Sequence, residues 1–254
     1  MVETGWDAVA GWYDKLVGLK GSDQQQKAVI PAVMELLHPR AGESVLDVAC
    51  GQGILTSFIA DARAKYTGVD ASKKLLELAR KYHSPKGAFL TGDARKLSEC
   101  SHLHAHTFDA AVVMLAIQDM DPPEDVFRSI AWALKPAGRA VIAMTHPCFR
   151  IPRQSGWGWD EQKKWMYRRI DRYLTPLSVP MKAFDGKEGG MTTSFHRPLQ
   201  TYLNGLAAHH LFVTQIKEIP LFKERLPGER AKAEFRSNQE IPQFLVLRAE
   251  VHSA

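Results

Sequence analysis

The sequence predicts an α/β fold: a doubly wound, mostly parallel sheet covered by helices on both faces. Three observations predict it. Short apolar runs alternate with amphipathic stretches between residues 44 and 145. The run from Phe108 to Leu115 is almost wholly apolar, as a strand buried on both faces must be. The first run stops at a turn of small residues, Ala49-Cys50-Gly51-Gln52-Gly53, from which a helix starts.

The elements follow in order. Trp6 to Leu19 and Gln24 to Leu37 read as two helices, separated near Gly18 and Gly21. Ser44 to Ala49 is the first strand, and Ile54 to Ala62 its helix. Lys65 to Asp70 is the second strand; Ser72 caps a helix from Lys73 to Tyr82. Gly87 to Thr91 is the third strand and Phe108 to Leu115 the fourth. Glu124 to Leu134 is helical and stops at Gly138, near Pro136. Arg139 to Thr145 is the fifth strand. The pattern then breaks. Residues 146 to about 197 carry Pro147, Pro152, Pro176, Pro180 and the tryptophans 157, 159 and 165, and read as an insertion over the sheet edge. Pro198 to His210 is a helix. Leu211 to Ile219 and Gln243 to Val251 complete seven strands as a late antiparallel pair joined by a loop.

Composition excludes several classes. At 254 residues and 45% apolar, the chain can bury one sizeable core. No stretch approaches the roughly 18 to 20 apolar residues of a membrane span, so no membrane role is expected. The start, Met1-Val2-Glu3-Thr4-Gly5-Trp6-Asp7, lacks the basic and apolar regions of a secretory leader. Three cysteines form neither a disulfide framework nor a CxxC pair, and a reducing cytoplasm is the expected location. The net charge of +5 is mild and spread out. Pairs such as Lys163-Lys164 and Arg168-Arg169 stand among Asp160, Glu161, Asp171, Asp185 and Glu188, so nucleic acid is not the expected partner.

The turn after the first strand lets a ligand approach the backbone, and the next helix offers free N–H groups. Asp70 ends the second strand about 20 residues on, where a carboxylate can hold ribose hydroxyls. A dinucleotide and a nucleoside both fit so far. The spacing Ala-x-Gly-x-Gly lacks the third glycine of the dinucleotide fingerprint. Thr91-Gly92-Asp93-Ala94 puts a second carboxylate at the next strand end. A ligand with an adenine, a ribose and an amino-acid tail, but no pyrophosphate, fits better.

On these residues the chain resembles the class I S-adenosylmethionine-dependent methyltransferases, a Rossmann-like family. Leu46 to Gly53, Gly68 to Ser72, Gly92 to Ala94, Phe108 to Val113 and Leu134 to Arg139 are similar to five of its motifs, in order. The flanking regions resemble a bacterial group with a His-Pro-Cys-Phe segment after the fifth strand, here His146 to Phe149. The resemblance implies one domain over residues 1–254. It would comprise an N-terminal helical cap (1–40), a cofactor-binding core (41–145), an acceptor-side insertion (146–197) and a C-terminal helix with strands (198–254). It implies S-adenosylmethionine as cofactor, with S-adenosylhomocysteine as product, and a small-molecule acceptor methylated on nitrogen or oxygen. Ala49, Cys50 and Gly51 would then line the methionine part. Asp47 would orient the loop and the cofactor ammonium. Asp70 would hold the ribose, with Ala71 beside the adenine, and Asp93 and Ala94 would bond the adenine edge. Met114 and Leu115 would sit near the sulfonium. Tyr13 would fold over the cofactor or pack on the sheet.

Such chemistry needs positioning more than acid–base machinery. His146 is the candidate base at the cleft rim, or else a hydrogen-bonded anchor for the insertion. Gln118 and Asp119 are candidate acceptor contacts, whereas His196 and Arg197 are expected at the surface. Phe149, Trp157, Trp159, Trp165, Tyr167 and Tyr173 form either an apolar acceptor pocket or the insertion's own core. His102, His104 and His106 near Cys100 lack a carboxylate at ligand spacing, and no metal is expected. Methylation of RNA or protein, and a non-catalytic nucleotide-binding module, are the rival readings.

Overall fold

The computed structural model describes residues 5–182, 190–224 and 226–252; the predicted charges Asp185 and Glu188, and residues 1–4, lie outside them. Seven strands form one sheet: β1 (Ser44–Val48), β2 (Lys65–Asp70), β3 (Gly87–Thr91), β4 (Phe108–Met114), β5 (Leu134–Thr145), β10 (Leu211–Ile219) and β11 (Phe244–Val251). Their order is β10-β11-β5-β4-β1-β2-β3. Strand β11 runs antiparallel to both its neighbours and the remaining pairs are parallel. This is the doubly wound, Rossmann-like sheet with one antiparallel late strand that the sequence predicts.

Successive side chains of a strand point to opposite faces. Leu46, Val48, Ala111, Val113, Ile142 and Met144 therefore join one buried cluster, while Val45, Ala110, Val112, Val141 and Ala143 join the other. Helix α2 (Ile30–Leu37), α3 (Thr56–Asp61) and α4 (Lys73–His83) cover the second face. Helix α5 (Pro123–Ala133) and α6 (Leu199–Ala208) cover the first. Ser72 caps α4 as expected, accepting from Leu75 N.

Several boundaries differ from expectation. The helix predicted through Leu134 ends one residue earlier. Leu134 is already extended and pairs with Phe108, and the turn is made by Ala137 in the left-handed region rather than by Gly138. Residues 25–29 form a π turn before α2. The segment between the late strands, expected as a loop, contains α7 (Glu229–Glu240), whose mostly polar surface hides a helix signal. The insertion makes two hairpins, β6 (Ser155–Asp160) with β7 (Trp165–Ile170) and β8 (Leu177–Lys182) with β9 (Met191–His196). Strand β9 lies over the carboxyl ends of the strands, not their edge, and touches α1 (Trp6–Val17) and the short turn Ile117–Asp119. Among the described residues no helix is long and apolar enough to cross a membrane.

Candidate active site

The register aligns Val48 with Val69 and Asp70 with Thr91, so β1, β2 and β3 stop side by side. Cys50 N donates to Val69 O at 3.0 Å, fastening the turn to β2. Ala49 and Leu115, the residues after β1 and β4, take the left-handed region with φ of 57° and 56°. That conformation costs a non-glycine residue about 1 kcal/mol and clusters at ligand clamps. Gly51 also has positive φ, and its N donates to Asp70 Oδ2 at 2.8 Å. Ser72 N donates to Asp70 Oδ1 at 2.8 Å. Asp70 thus organises the turn and the start of α4 together.

These ends surround a cavity of about 360 Å³. Its walls include all eleven residues expected at the cofactor: Tyr13, Asp47, Ala49, Cys50, Gly51, Asp70, Ala71, Asp93, Ala94, Met114 and Leu115. Trp6, Asp119, Met120, Met191, Thr192 and Phe195 also line it, and of these only Asp119 was singled out by the sequence. Trp6 and Tyr13 meet edge to face at 5.3 Å, one heptad apart on α1, a spacing that could have exposed Trp6. Met191 to Phe195 carry no sequence signal, because the hairpin's placement over the strand ends is tertiary. Helix α1 is tethered there: Ser72 Oγ donates to Asp7 Oδ1 at 2.6 Å, and the Tyr82 hydroxyl donates to the Asp14 carboxylate at 2.9 Å.

The cavity is acidic. Asp47 is buried, accepts from the Tyr66 hydroxyl at 2.7 Å, and is pushed up to about 7, chiefly by burial. A Cβ at Gly68 would lie 2.9 Å from that hydroxyl, so the close approach requires glycine. Burial also raises Asp70, and lifts Asp119 to about 7. Burial first, then Asp47 and Asp70, keep the Cys50 thiol protonated. The Tyr13 phenol is pushed up to about 12 by burial, with Asp119, Asp70 and Asp47 acting in the same direction. Asp93 differs: burial opposes its charge, but Arg95 bonds from side chain and backbone hold it below the usual range, with Nη2 at 2.7 Å from Oδ2. Arg95 is the one basic residue lining the cavity among the described residues.

His146 does not reach this cavity. It is 2% exposed, its Nε2 pairs with Glu218 Oε1 at 2.9 Å, and its Nδ1 accepts from Cys148 N at 3.1 Å. The expectation of a base at the rim does not fit this geometry; the ring ties the end of β5 to β10. Burial lowers its pKa against the pull of Glu218. His146→Ala is therefore expected to lower the thermal midpoint while leaving S-adenosylhomocysteine affinity within about twofold. A selective loss of affinity in calorimetry would contradict this. His196 and Arg197, expected at the surface, are 4% and 5% exposed. Arg197 Nη2 donates to Met120 O and Asp121 Oδ1, both at 2.7 Å, latching β9 to the turn after β4. Of the two readings of the insertion's aromatics, the acceptor pocket does not fit the geometry, since none of the six lines the cavity. Trp157, Trp159 and Trp165 lie away from the cavity under Arg168, Arg230 and Arg236.

A family model described as a methyltransferase domain matches residues 45–138. A ubiquinone biosynthesis O-methyltransferase of Vibrio cholerae serotype O1 is 31% identical over 137 residues, 54% of this chain and 56% of that enzyme. The chain thus spans about half the length of the curated relatives it matches. A solved S-adenosylmethionine-dependent methyltransferase from Mesorhizobium loti is 26% identical, with a TM-score of 0.69 over 92% of this chain and 100% of that one. A structure from Listeria monocytogenes shares the fold at 22% identity and the same TM-score of 0.69, over 88% of this chain and 96% of its own.

Residues 45–138 match the methyltransferase domain, and the chain shares the seven-stranded fold of the S-adenosylmethionine-dependent methyltransferase from Mesorhizobium loti. Its cavity suits the family's cofactor on chemical grounds. Among the described residues, Asp47, Asp70 and Asp119 are enclosed carboxylates whose charge burial opposes, and a ligand bearing an ammonium and a sulfonium supplies positive charge to them. A pyrophosphate would meet repulsion here. A pH dependence follows for this cavity. Asp47 rises from near 3.8 to about 7 on folding, so its contribution is full at low pH and is lost between about pH 4 and about pH 7. The free protein should lose thermal stability across that window, and S-adenosylhomocysteine should stabilise it more at the alkaline end. Asp47→Asn should flatten the slope in a thermal-shift series; an unchanged slope would contradict the assignment.

Proposed function

We propose that the chain transfers a methyl group from S-adenosylmethionine to the oxygen or nitrogen of a small-molecule acceptor. The observation that carries this reading is the enclosed acidic cavity at the abutting ends of β1, β2 and β4. Asp70 holds the ribose hydroxyls, Asp47 faces the ammonium, and Ala49, Cys50 and Gly51 let the methionine part lie against the backbone. Ala71, Asp93 and Ala94 frame the adenine. Met114 and Leu115 lie near the sulfur, and Tyr13, whose ring passes 3.9 Å from a Cβ built at Gly51, closes the site. S-adenosylmethionine, when bound, supplies a methyl on a sulfonium that is already an activated leaving group.

The small-molecule reading is supported by the walls. Helix α1 and β9 cover the strand ends, and the cavity falls within the usual size of small-ligand sites. The similarity to an O-methyltransferase of ubiquinone biosynthesis supports an oxygen acceptor. Calorimetry with S-adenosylhomocysteine and NAD tests the cofactor: the first is expected to bind, and binding of NAD alone would overturn the reading. Labelled S-adenosylmethionine supplied with separated metabolite, RNA and protein fractions tests the acceptor. Label is expected in metabolites; label in RNA or protein would contradict the proposal.

A further inference from the structure

Asp119 stands apart from the other carboxylates around the cavity. In sheet order, β2 and β3 lie on one side of β1 and β4 on the other. Asp70 and Asp93 therefore mark the nucleoside end, and Asp119, in the turn after β4, marks the opposite end. The neighbouring aspartates have arginine partners: Arg95 holds Asp93, and Arg197 holds Asp121. Among the described residues Asp119 has no such partner; Gln118 Nε2 donates to its Oδ2 across a long 3.4 Å. That same amide donates to Leu115 O at 2.5 Å, which fixes its orientation, and its Oε1 is buried without a hydrogen-bond partner. Asp119 thus offers the cavity a buried carboxylate that no salt bridge neutralises among the described residues. It calls for a ligand that brings an O–H or N–H.

We propose that the Asp119 carboxylate faces the transferring methyl from the acceptor side and takes the acceptor's proton, so that the acceptor is an O–H or N–H nucleophile carrying no anionic group at its reacting end. This rests on the chain being a methyltransferase with its cofactor in this cavity. The acceptor's lone pair forms the new bond to the methyl carbon. The carbon–sulfur bond breaks with its electron pair on sulfur, leaving a neutral thioether, and the acceptor's proton passes to a carboxylate oxygen of Asp119. One positive charge disappears at sulfur as one negative charge is neutralised at Asp119, which then returns the proton to solvent. Burial lifts Asp119 to about 7, where a carboxylate is poised to exchange protons near neutrality. Methionines 114 and 120 and the rings of Tyr13 and Phe195 line the space around it, which keeps the exchange from being swamped by water.

Sinefungin tests this without knowledge of the acceptor, because it carries an amine-bearing carbon where the methylated sulfur sits. In calorimetry, the wild-type chain is expected to bind sinefungin about tenfold more tightly than S-adenosylhomocysteine, through a charge-assisted bond to Asp119. Asp119→Asn should abolish that preference and leave S-adenosylhomocysteine affinity within about twofold. Equal affinity for the two ligands in the wild type, or a preference that survives in Asp119→Asn, overturns the inference. Failure of S-adenosylhomocysteine to bind the wild type would instead sink the cofactor reading, and the inference with it.

Discussion

Asp70→Ala lowers affinity for S-adenosylhomocysteine by about ten- to a hundredfold, the loss expected for removing charge-assisted bonds of about 1 to 3 kcal/mol in total. Two effects combine. The ribose hydroxyls lose their acceptor. The turn also loses its organiser, since Gly51 N and Ser72 N both donate to this carboxylate. Asp70→Asn separates them: it keeps one oxygen for a backbone donor but removes the charge, and should fall between alanine and wild type. Calorimetry measures both variants, with far-ultraviolet circular dichroism as a check on folding. Affinity unchanged in Asp70→Ala would remove Asp70 from the binding site.

Arg139→Ala destabilises the fold by about 3 to 5 kcal/mol, the range for stripping one partner from a buried ion pair. The guanidinium enters from the middle of β5 and bonds Glu43 Oε2 at 2.6 Å and Oε1 at 3.0 Å. It also donates to Leu37 O at 2.5 Å and His38 O at 3.0 Å, satisfying carbonyls that α2 leaves open at its C-terminus. Its loss strands Glu43 and two carbonyls at once. Burial alone would raise Glu43, but Arg139 holds it below its ordinary value. That contribution is present above the unfolded pKa and fades as pH falls through the folded one, so the cost of Arg139→Ala should shrink in acid. Urea unfolding measures it. A loss under about 1 kcal/mol near neutrality would rank the pair with exposed salt bridges.

The cofactor end of the site was legible because its information is local. A strand, a turn of small residues and a carboxylate at the next strand end are contiguous in sequence, and the parallel register then stacks them. The sheet was legible for the same reason: alternation in β4 and β5 encodes burial on both faces. The acceptor end was not. Phe195 and Thr192 reach the cavity only because Arg197 is buried against Met120 and Asp121, and an arginine in a loop reads as surface. His146 misled in the opposite direction. A histidine after a strand end has the chemistry of a base, but its partner Glu218 comes from a strand over 70 residues later. Helix α7 escaped notice because its polar residues hide the apolar stripe that marks a helix. Asp119 was visible as an acceptor contact, but its lack of a basic partner was not, since that depends on where Arg95 and Arg197 turn.

A crystal structure of the chain with S-adenosylhomocysteine tests the central claim most directly. The account predicts the ligand in the cavity at the strand ends, its ribose hydroxyls on the Asp70 carboxylate and its adenine between Ala71 and Ala94 with Asp93 at its edge. A ligand bound elsewhere, or one that touches neither Asp70 nor Asp93, would contradict it.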